Sequence, residues 1–315
     1  MAAAAAPPKK ASPDHIPNGV KFAFGGLAGM GATMFVQPLD LVKNRMQLSG
    51  TAGKKEYRSS FHALRTIVAN EGIFSVYNGL SAGLARQASY TTTRLGIYTW
   101  LFEKFSTPGH SPSFALKAGL GMTAGAVGAF VGNPTEVALI RMTSDGRLPL
   151  DQRRNYTSVF NAVARIFKEE GVLALWRGCT PTVGRAMVVN AAQLATYSQA
   201  KQAILDSGYV QDGIFCHFLS SMVSGLATTI ASMPVDIAKT RIQNMRVIDG
   251  KPEYKGAVDV LTRVVKNEGF FALWKGFTPY YMRLGPHTVI TFIILEQMNT
   301  LYYKYVLGVE GHQTL

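Results

Sequence analysis

Apolar stretches rich in small residues run over roughly 17–46, 80–105, 113–142, 180–205, 213–244 and 278–308. As helices, each is long enough to cross about 30 Å of hydrocarbon. None is a charge-free run of the kind that faces lipid on all sides, so one face of each predicted helix lines water. In alternate stretches small residues recur four apart, at Gly25 and Gly29, Gly121 and Gly125, and Ser221 and Gly225. That spacing lets backbones approach closely in a bilayer, where apolar burial cannot drive association. Six spans place both chain ends on one side. The connections alternate in length, and the long ones hold the cations: Lys54, Lys55 and Arg58; Arg147, Arg153 and Arg154; Arg246, Lys251 and Lys255. The short connection at 202–213 has no lysine or arginine, so the long segments are predicted on the inner side, each with a short amphipathic helix such as 57–70.

The pattern is a triplication. Pro38-Leu39-Asp40, Pro134-Thr135-Glu136 and Pro234-Val235-Asp236 end alternate stretches. A proline removes a helix hydrogen bond and kinks the helix, so three matched kinks around a threefold pseudo-axis are expected. Tyr57, Tyr156 and Tyr254 follow, and then Glu71-Gly72, Glu170-Gly171 and Glu268-Gly269. In register behind them stand Tyr77-Asn78-Gly79, Trp176-Arg177-Gly178 and Trp274-Lys275-Gly276. Seven residues past each last glycine is an arginine: Arg86, Arg185 and Arg283.

These motifs resemble the signature of the mitochondrial carrier family, Pro-x-acid-x-x-base followed by acid-Gly-xxxx-aromatic-base-Gly, once per repeat. The resemblance covers roughly 17–308 and implies an all-α membrane protein: six transmembrane helices in three tandem pseudosymmetric repeats, with short matrix helices. The repeats are expected at 17–110, 111–210 and 211–308, with a flexible N-terminal segment at 1–16 and a C-terminal tail at 309–315. It also implies the mitochondrial inner membrane, both termini toward the intermembrane space. The runs FGGLAGMGATMFVQPLDLVKNRMQLSG, RQASYTTTRLGIYT and SMPVDIAKTRIQNMR are similar to dicarboxylate-exchanging members. The expected function is therefore antiport of 2-oxoglutarate against malate or related dicarboxylates by alternating access. Phosphate-coupled dicarboxylate carriers and uncoupling-type carriers share the arginine layer and are the nearest alternatives. A nucleotide carrier is disfavoured, because its Arg-Arg-Arg-Met-Met-Met run is absent.

In the family, an acid of one odd helix pairs with the base of the next. Asp40, Lys43, Glu136, Asp236 and Lys239 supply such a matrix gate, but the sixth position is Leu139. The resemblance thus implies the pairs Glu136 with Lys239 and Asp236 with Lys43, leaving Asp40 without a basic partner. Gln47 and Gln243, four past the lysines, are expected to brace those pairs; Thr143 leaves the second repeat unbraced. The cytosolic-side gate is expected at Thr99 with Phe102, Ser198 with Lys201, and Glu296 with Asn299, only fragments of an ionic ring. Between the gates, Arg86, Arg185 and Arg283 each lie about 10.5 Å into a helix and are expected to point inward at one depth. Ionisable groups inside spans are costly and face the bundle interior. A guanidinium fork matches a carboxylate two bonds at a time, which suits a small dicarboxylate. Tyr90, Arg94, Asn190 and Gln193 break the symmetry where an asymmetric substrate would be read. His287 is expected to be a packed histidine more often than a ligand.

Thirty-two Lys and Arg against 19 Asp and Glu give a formal charge of +13. The cations are spread over all repeats without a basic-aromatic recognition module, so anionic lipid such as cardiolipin and an anionic substrate are expected partners, and nucleic acid is not. A monomer suffices for this reading. Residues 1–10 show neither a secretory h-region nor arginines of a transit peptide. Cys179 and Cys216 begin the fourth and fifth stretches at opposite membrane faces, too far apart for a disulfide, and no Cys/His spacing supports a metal. The run Gly119-Leu120-Gly121-Met122-Thr123-Ala124 matches a dinucleotide fingerprint but opens no βαβ unit. No triad, P-loop or paired-carboxylate geometry appears, so neither an enzyme nor a cofactor is expected. A non-transporting membrane receptor and a soluble helical solenoid remain as other classes, which flux assays and detergent-free solubility would separate.

Overall fold

The computed structural model describes residues 17–50, 56–105, 114–208, 213–245, 247–248 and 251–307. The expected terminal segments, and Lys54, Lys55 and Arg246, lie outside these residues. Long helices α1 (Asn18–Leu48), α3 (Leu80–Phe105), α4 (Phe114–Ser144), α6 (Cys179–Asp206), α7 (Ile214–Asn244) and α9 (Phe277–Tyr302) alternate in pairs with short ones, α2 (Ser60–Glu71), α5 (Val159–Glu170) and α8 (Ala257–Glu268). A two-residue antiparallel pair, Val247–Ile248 with Lys251–Pro252, is the one departure from helix and turn among the described residues. By length and hydropathy alone, Phe22–Leu48 and Phe215–Asn244 qualify as membrane-crossing. The polar positions of the others are spent on the interior described below.

Each repeat is built by the same local chemistry. Ser59 and Ser158 cap α2 and α5 by accepting from the backbone N–H of His62 and Asn161, both at 3.2 Å. The short helices end at Gly72, Gly171 and Gly269, whose φ of 86°, 86° and 92° falls in the left-handed region that favours glycine. A single 3₁₀ turn follows, and then a second left-handed glycine starts the next long helix. At Gly276 a Cβ would also come within 3.2 Å of the Lys43 carbonyl, so two independent constraints select glycine there.

Helices α1, α4 and α7 run unbroken through Pro38, Pro134 and Pro234. A proline leaves the carbonyl four residues earlier without its helical donor. In the second repeat the Trp176 indole donates to the Phe130 carbonyl at 3.2 Å, and in the third Trp274 donates to Ile230 at 3.0 Å. Those are the two orphaned carbonyls, and they explain the aromatic of the aromatic-base-Gly motif. The short helices pack under the ends of the long ones through small clusters, such as Leu41, Val42, Ala63 and Ile67 in the first repeat and Ile237, Val260, Val264 and Leu273 in the third.

Candidate functional site

The C-terminal ends of α1, α4 and α7 are buried almost throughout, whereas the far ends of α3, α6 and α9 are half exposed. The buried end is closed by two layers of charge. In the outer one, Arg45, Arg141 and Arg241 each grip the acid of their own repeat's acid-Gly pair with a two-pronged ion pair: Glu71 (second prong 2.8 Å), Glu170 (3.0 Å) and Glu268 (2.6 and 3.0 Å). Their Nε groups donate onward to the Thr143, Gln243 and Gln47 carbonyls at 2.9, 3.3 and 3.2 Å. Each arginine therefore ties its own short helix to the unsatisfied C-terminal carbonyls of the next long helix, closing a ring from α1 to α4 to α7 and back. Burial by itself would raise the Glu170 and Glu268 carboxyls, but the paired guanidiniums hold both below the usual carboxylate range. Arg177 adds an ion pair to Glu170 at 2.5 Å, and Lys275 pairs with Glu268 and donates to the Ser49 carbonyl at 3.1 Å.

Sequence reasoning missed this layer, although its signal was present: an arginine stands seven residues after each of the three prolines. The base of the aromatic-base-Gly motif likewise belongs to the acid of the same repeat. Cations expected to face the inner membrane surface are partly drawn into this collar: Arg147 pairs with Glu56 at 2.7 Å, and Arg154 donates to Asn244 at 3.0 Å.

The inner layer contains the expected gate. Lys43 pairs with Asp236 at 2.9 Å, and Lys239 pairs with Glu136. Asp40 is not left without a base: Arg283 reaches it at 2.5 Å. The position opposite Leu139 is thus served from α9, by a residue that sequence reasoning reserved for substrate. Arg185 in turn pairs with Asp236 through Nε and donates to the Tyr280 hydroxyl at 2.8 Å. Tyr280, which sequence reasoning did not single out, is a hub: Lys43 lies 4.2 Å over its ring, and Arg185 and Arg283 each lie 5.9 Å from its centre. Nothing in the repeat pattern flags it, because the matching positions are Gly83 and Thr182.

The bracing expected of Gln47 and Gln243 takes another form. Gln47 accepts from Thr240 at 2.8 Å, and Gln243 donates to Asn133 at 3.4 Å and Thr182 at 3.3 Å, so both join helices to one another and not to the ion pairs. The amide is too far along its helix to reach back to the gate acids. Thr143 is not idle either: it accepts from Asn44 at 3.3 Å, so α1 and α4 are joined where no brace was expected.

Of the three layer arginines, two are therefore shared with gate acids, while the Arg86 side chain makes no ion pair among the described residues. The gate and the arginine layer hold three carboxylates, Asp40, Glu136 and Asp236, against five cations, Lys43, Lys239, Arg86, Arg185 and Arg283, leaving two positive charges uncompensated. Arg94, Asn190 and Gln193 come together higher up, with Tyr98, Tyr197 and Ser198, around a cavity of about 610 Å³. Tyr90 packs on α4, its carbonyl 3.3 Å from where a Cβ on Gly128 would sit. Half-buried His287 accepts through its carbonyl from Thr291 at 2.7 Å. At the far end Thr99, Lys201 and Asn299 are half-buried, Ser198 and Glu296 are exposed, and Glu296 joins no ion pair among the described residues. No group of three or more metal-ligating side chains occurs among the described residues.

Three tandem charge-closed helix pairs around a cationic layer define a solute carrier, and the chain's relatives agree. The mitochondrial carrier protein family matches residues 14–108, 110–208 and 210–306. The chain belongs to that family. It is 78% identical over 292 residues to the mitochondrial 2-oxoglutarate/malate carrier protein of Caenorhabditis elegans, covering 93% of this chain and 95% of that one. The human protein of the same name is 70% identical over 298 residues, covering 94% and 95%. The bovine one is 68% identical over 313 residues, covering 98% and 100%.

Proposed function

We propose that this chain is an antiporter of the mitochondrial inner membrane that exchanges 2-oxoglutarate for malate or related dicarboxylates by alternating access. The observation that carries the reading is the pair of uncompensated positive charges in the arginine layer, with Arg86 free to take a carboxylate. A dianion neutralises the layer, whereas a monoanion or a neutral solute leaves charge buried at a cost of several kcal/mol. Relatives of 68–78% identity that carry a 2-oxoglutarate/malate name support the choice of dianion.

Arg185 and Arg283 couple binding to opening. Each holds a gate acid, Asp236 and Asp40 respectively, and each belongs to the layer that a substrate carboxylate would engage. A carboxylate that takes these guanidiniums releases the two acids, and the inner gate weakens while the substrate is held. Only differential affinity of this kind moves such an equilibrium. Arg94, Asn190 and Gln193 line the approach and read the keto or hydroxyl end; Thr99, Ser198, Lys201, Glu296 and Asn299 form the lighter outer closure. No bond of the substrate is made or broken, so the chain is a transporter and not an enzyme, and it needs no cofactor. Both termini face the intermembrane space, a monomer suffices, and anionic lipid such as cardiolipin covers the basic matrix side without nucleic acid as a partner.

Liposomes loaded with malate should take up labelled 2-oxoglutarate, and empty ones should not. Equal uptake into both would sink the antiport reading, and uptake against an internal monocarboxylate would sink the dianion.

A further inference from the structure

Tyr280 stands on the first turn of α9. Gly276, at the start of that helix, lies so close to α1 that a Cβ there would come within 3.2 Å of the Lys43 carbonyl, and the Tyr280 N–H bonds to the Gly276 carbonyl at 3.2 Å. This approach puts the Tyr280 ring against Lys43, whose Nζ is 4.2 Å from the ring centre. Two layer arginines meet the same side chain. Arg185 donates through Nη2 to the hydroxyl at 2.8 Å, and the guanidinium carbons of Arg185 and Arg283 are each 5.9 Å from the ring centre. Tyr280 is 6% exposed, and a packed ring with only two side-chain torsions is a fixed point. The other repeats have no such group. Gly83 stands at the first matching position, where a Cβ would be 3.1 Å from the Gln37 amide oxygen; at the second, the Thr182 hydroxyl is spent on the Gly178 carbonyl and the Gln243 amide.

Three cations from three helices therefore collect around one neutral side chain. Like charges this close repel unless they are compensated. In the closed gate Asp236 compensates Lys43 and Arg185, and Asp40 compensates Arg283. Those acids are the partners that a substrate carboxylate replaces. Tyr280 carries no charge to be exchanged, so among the described residues it is the partner of all three cations that need not change hands. Arg185 meets Asp236 through Nε and Tyr280 through Nη2, so its bond to the hydroxyl survives when the acid lets go. The ring face attracts the other cations in the same way with or without the acids. A long cationic side chain released at both ends regains rotamers that binding must fix again, which weakens the grip on a ligand.

We propose that Tyr280 is a positioning residue for exchange, holding Arg185 and Arg283 in place while their gate acids give way to a substrate carboxylate. The hydroxyl serves Arg185, and the ring serves Arg283 and Lys43. The inference rests on the antiport reading above and adds to it a group that acts on the substrate through the arginines.

The test is uptake of labelled 2-oxoglutarate into malate-loaded liposomes, compared at matched amounts of folded protein. No exchange by the wild type would overturn the antiport reading and this inference with it; every other outcome concerns Tyr280 alone. Tyr280→Phe keeps the ring and removes the hydroxyl, so it should raise KM several-fold while the melting temperature of the substrate-free protein falls little. Tyr280→Leu removes both and should raise KM further. Tyr281→Phe makes the same change one residue on, where the hydroxyl donates to the Met222 carbonyl at 3.3 Å, and should leave KM unchanged. The decisive comparison is a double-mutant cycle. In an Arg185→Lys background the fork that reaches acid and hydroxyl together is gone, so adding Tyr280→Phe should have little further effect on KM. A wild-type KM in Tyr280→Phe, an equal rise in Tyr281→Phe, or a full additional rise in the Arg185→Lys background overturns the inference. So does loss of folded protein in Tyr280→Phe, which would make the hydroxyl a structural group.

Discussion

The two charge layers at the buried end of α1, α4 and α7 share helices and residue types, yet one keeps the threefold repeat and the other breaks it. In the outer collar Arg45, Arg141 and Arg241 perform the same act three times, each on its own glutamate and its neighbour's carbonyl. In the inner gate the three acids meet three different environments: Arg283 on Asp40, Lys239 on Glu136, and both Lys43 and Arg185 on Asp236. The collar's contacts described above are all with the protein itself, which is threefold, so symmetry costs them nothing. On the proposed function the gate shares Arg185 and Arg283 with a ligand that has no such symmetry, and a site with three equal arms could not orient it.

The sharpest way to break this contrast is to cut the collar. Arg141→Gln removes a fully buried guanidinium, taking the two-pronged partner from the partly exposed Glu170, which keeps Arg177, and the donor from the end of α7, a loss of up to about 3–5 kcal/mol by the measure of a broken buried pair. Folded protein should be nearly absent, and Arg45→Gln and Arg241→Gln should behave alike, as judged by yield of monodisperse detergent-solubilised protein. Well-folded variants with impaired exchange would move the collar from architecture to transport. Because Glu170 and Glu268 are held below their ordinary range, the collar's contribution is fully present above that range and is lost as pH falls below it through the lowered values of the paired carboxyls.

Next in size are the layer arginines, where lysine retains the charge but loses the planar fork. Arg86→Lys, Arg185→Lys and Arg283→Lys should each slow exchange at least about tenfold, since one charge-assisted hydrogen bond is worth roughly 1.5–3 kcal/mol. The gate separates them further. Arg86 pairs with no gate acid, so Arg86→Lys should leave the melting temperature of the substrate-free protein unchanged, whereas Arg185→Lys and Arg283→Lys should lower it. Near-normal exchange by all three at matched amounts of folded protein would place carboxylate recognition elsewhere.

What could be read from the sequence followed the same division. Repetition makes a position visible, so the six spans, the three prolines, the glycine pairs and the two lysine–acid pairs were all legible from one chain. The collar is equally repetitive but does not stand out along the chain, because its arginines resemble the ordinary cations of a helix end until the acid-Gly partner is brought beneath them. Tyr280 and the contact of Arg283 with Asp40 were not legible. Each occurs in a single repeat and depends on how far α9 leans over α1, which spacing along a chain does not encode. The role of the glutamines failed for a related reason: four residues past a lysine fixes a face of the helix but not which neighbour that face meets.

The smallest expected effect tests that lean directly. Leu139 occupies the third base position and is 7% exposed among Ala82, Ala138, Met142, Val159 and Ala162. Read by repeat pattern alone, Leu139→Lys completes the ring and stabilises the closed gate. In the structure Asp40 already holds Arg283, so the new lysine gives up apolar burial worth about 1.5–3 kcal/mol and gains only a share of an occupied carboxylate. The melting temperature should fall slightly. In an Arg283→Gln background the balance reverses: Asp40 has lost its ion pair, the lysine supplies one, and the same substitution should raise the melting temperature. The sign change between backgrounds is a coupling energy between positions that pair through one acid. Stabilisation of equal size in both backgrounds would mean that Asp40 stands open to a third base and that Arg283 belongs to the substrate layer alone.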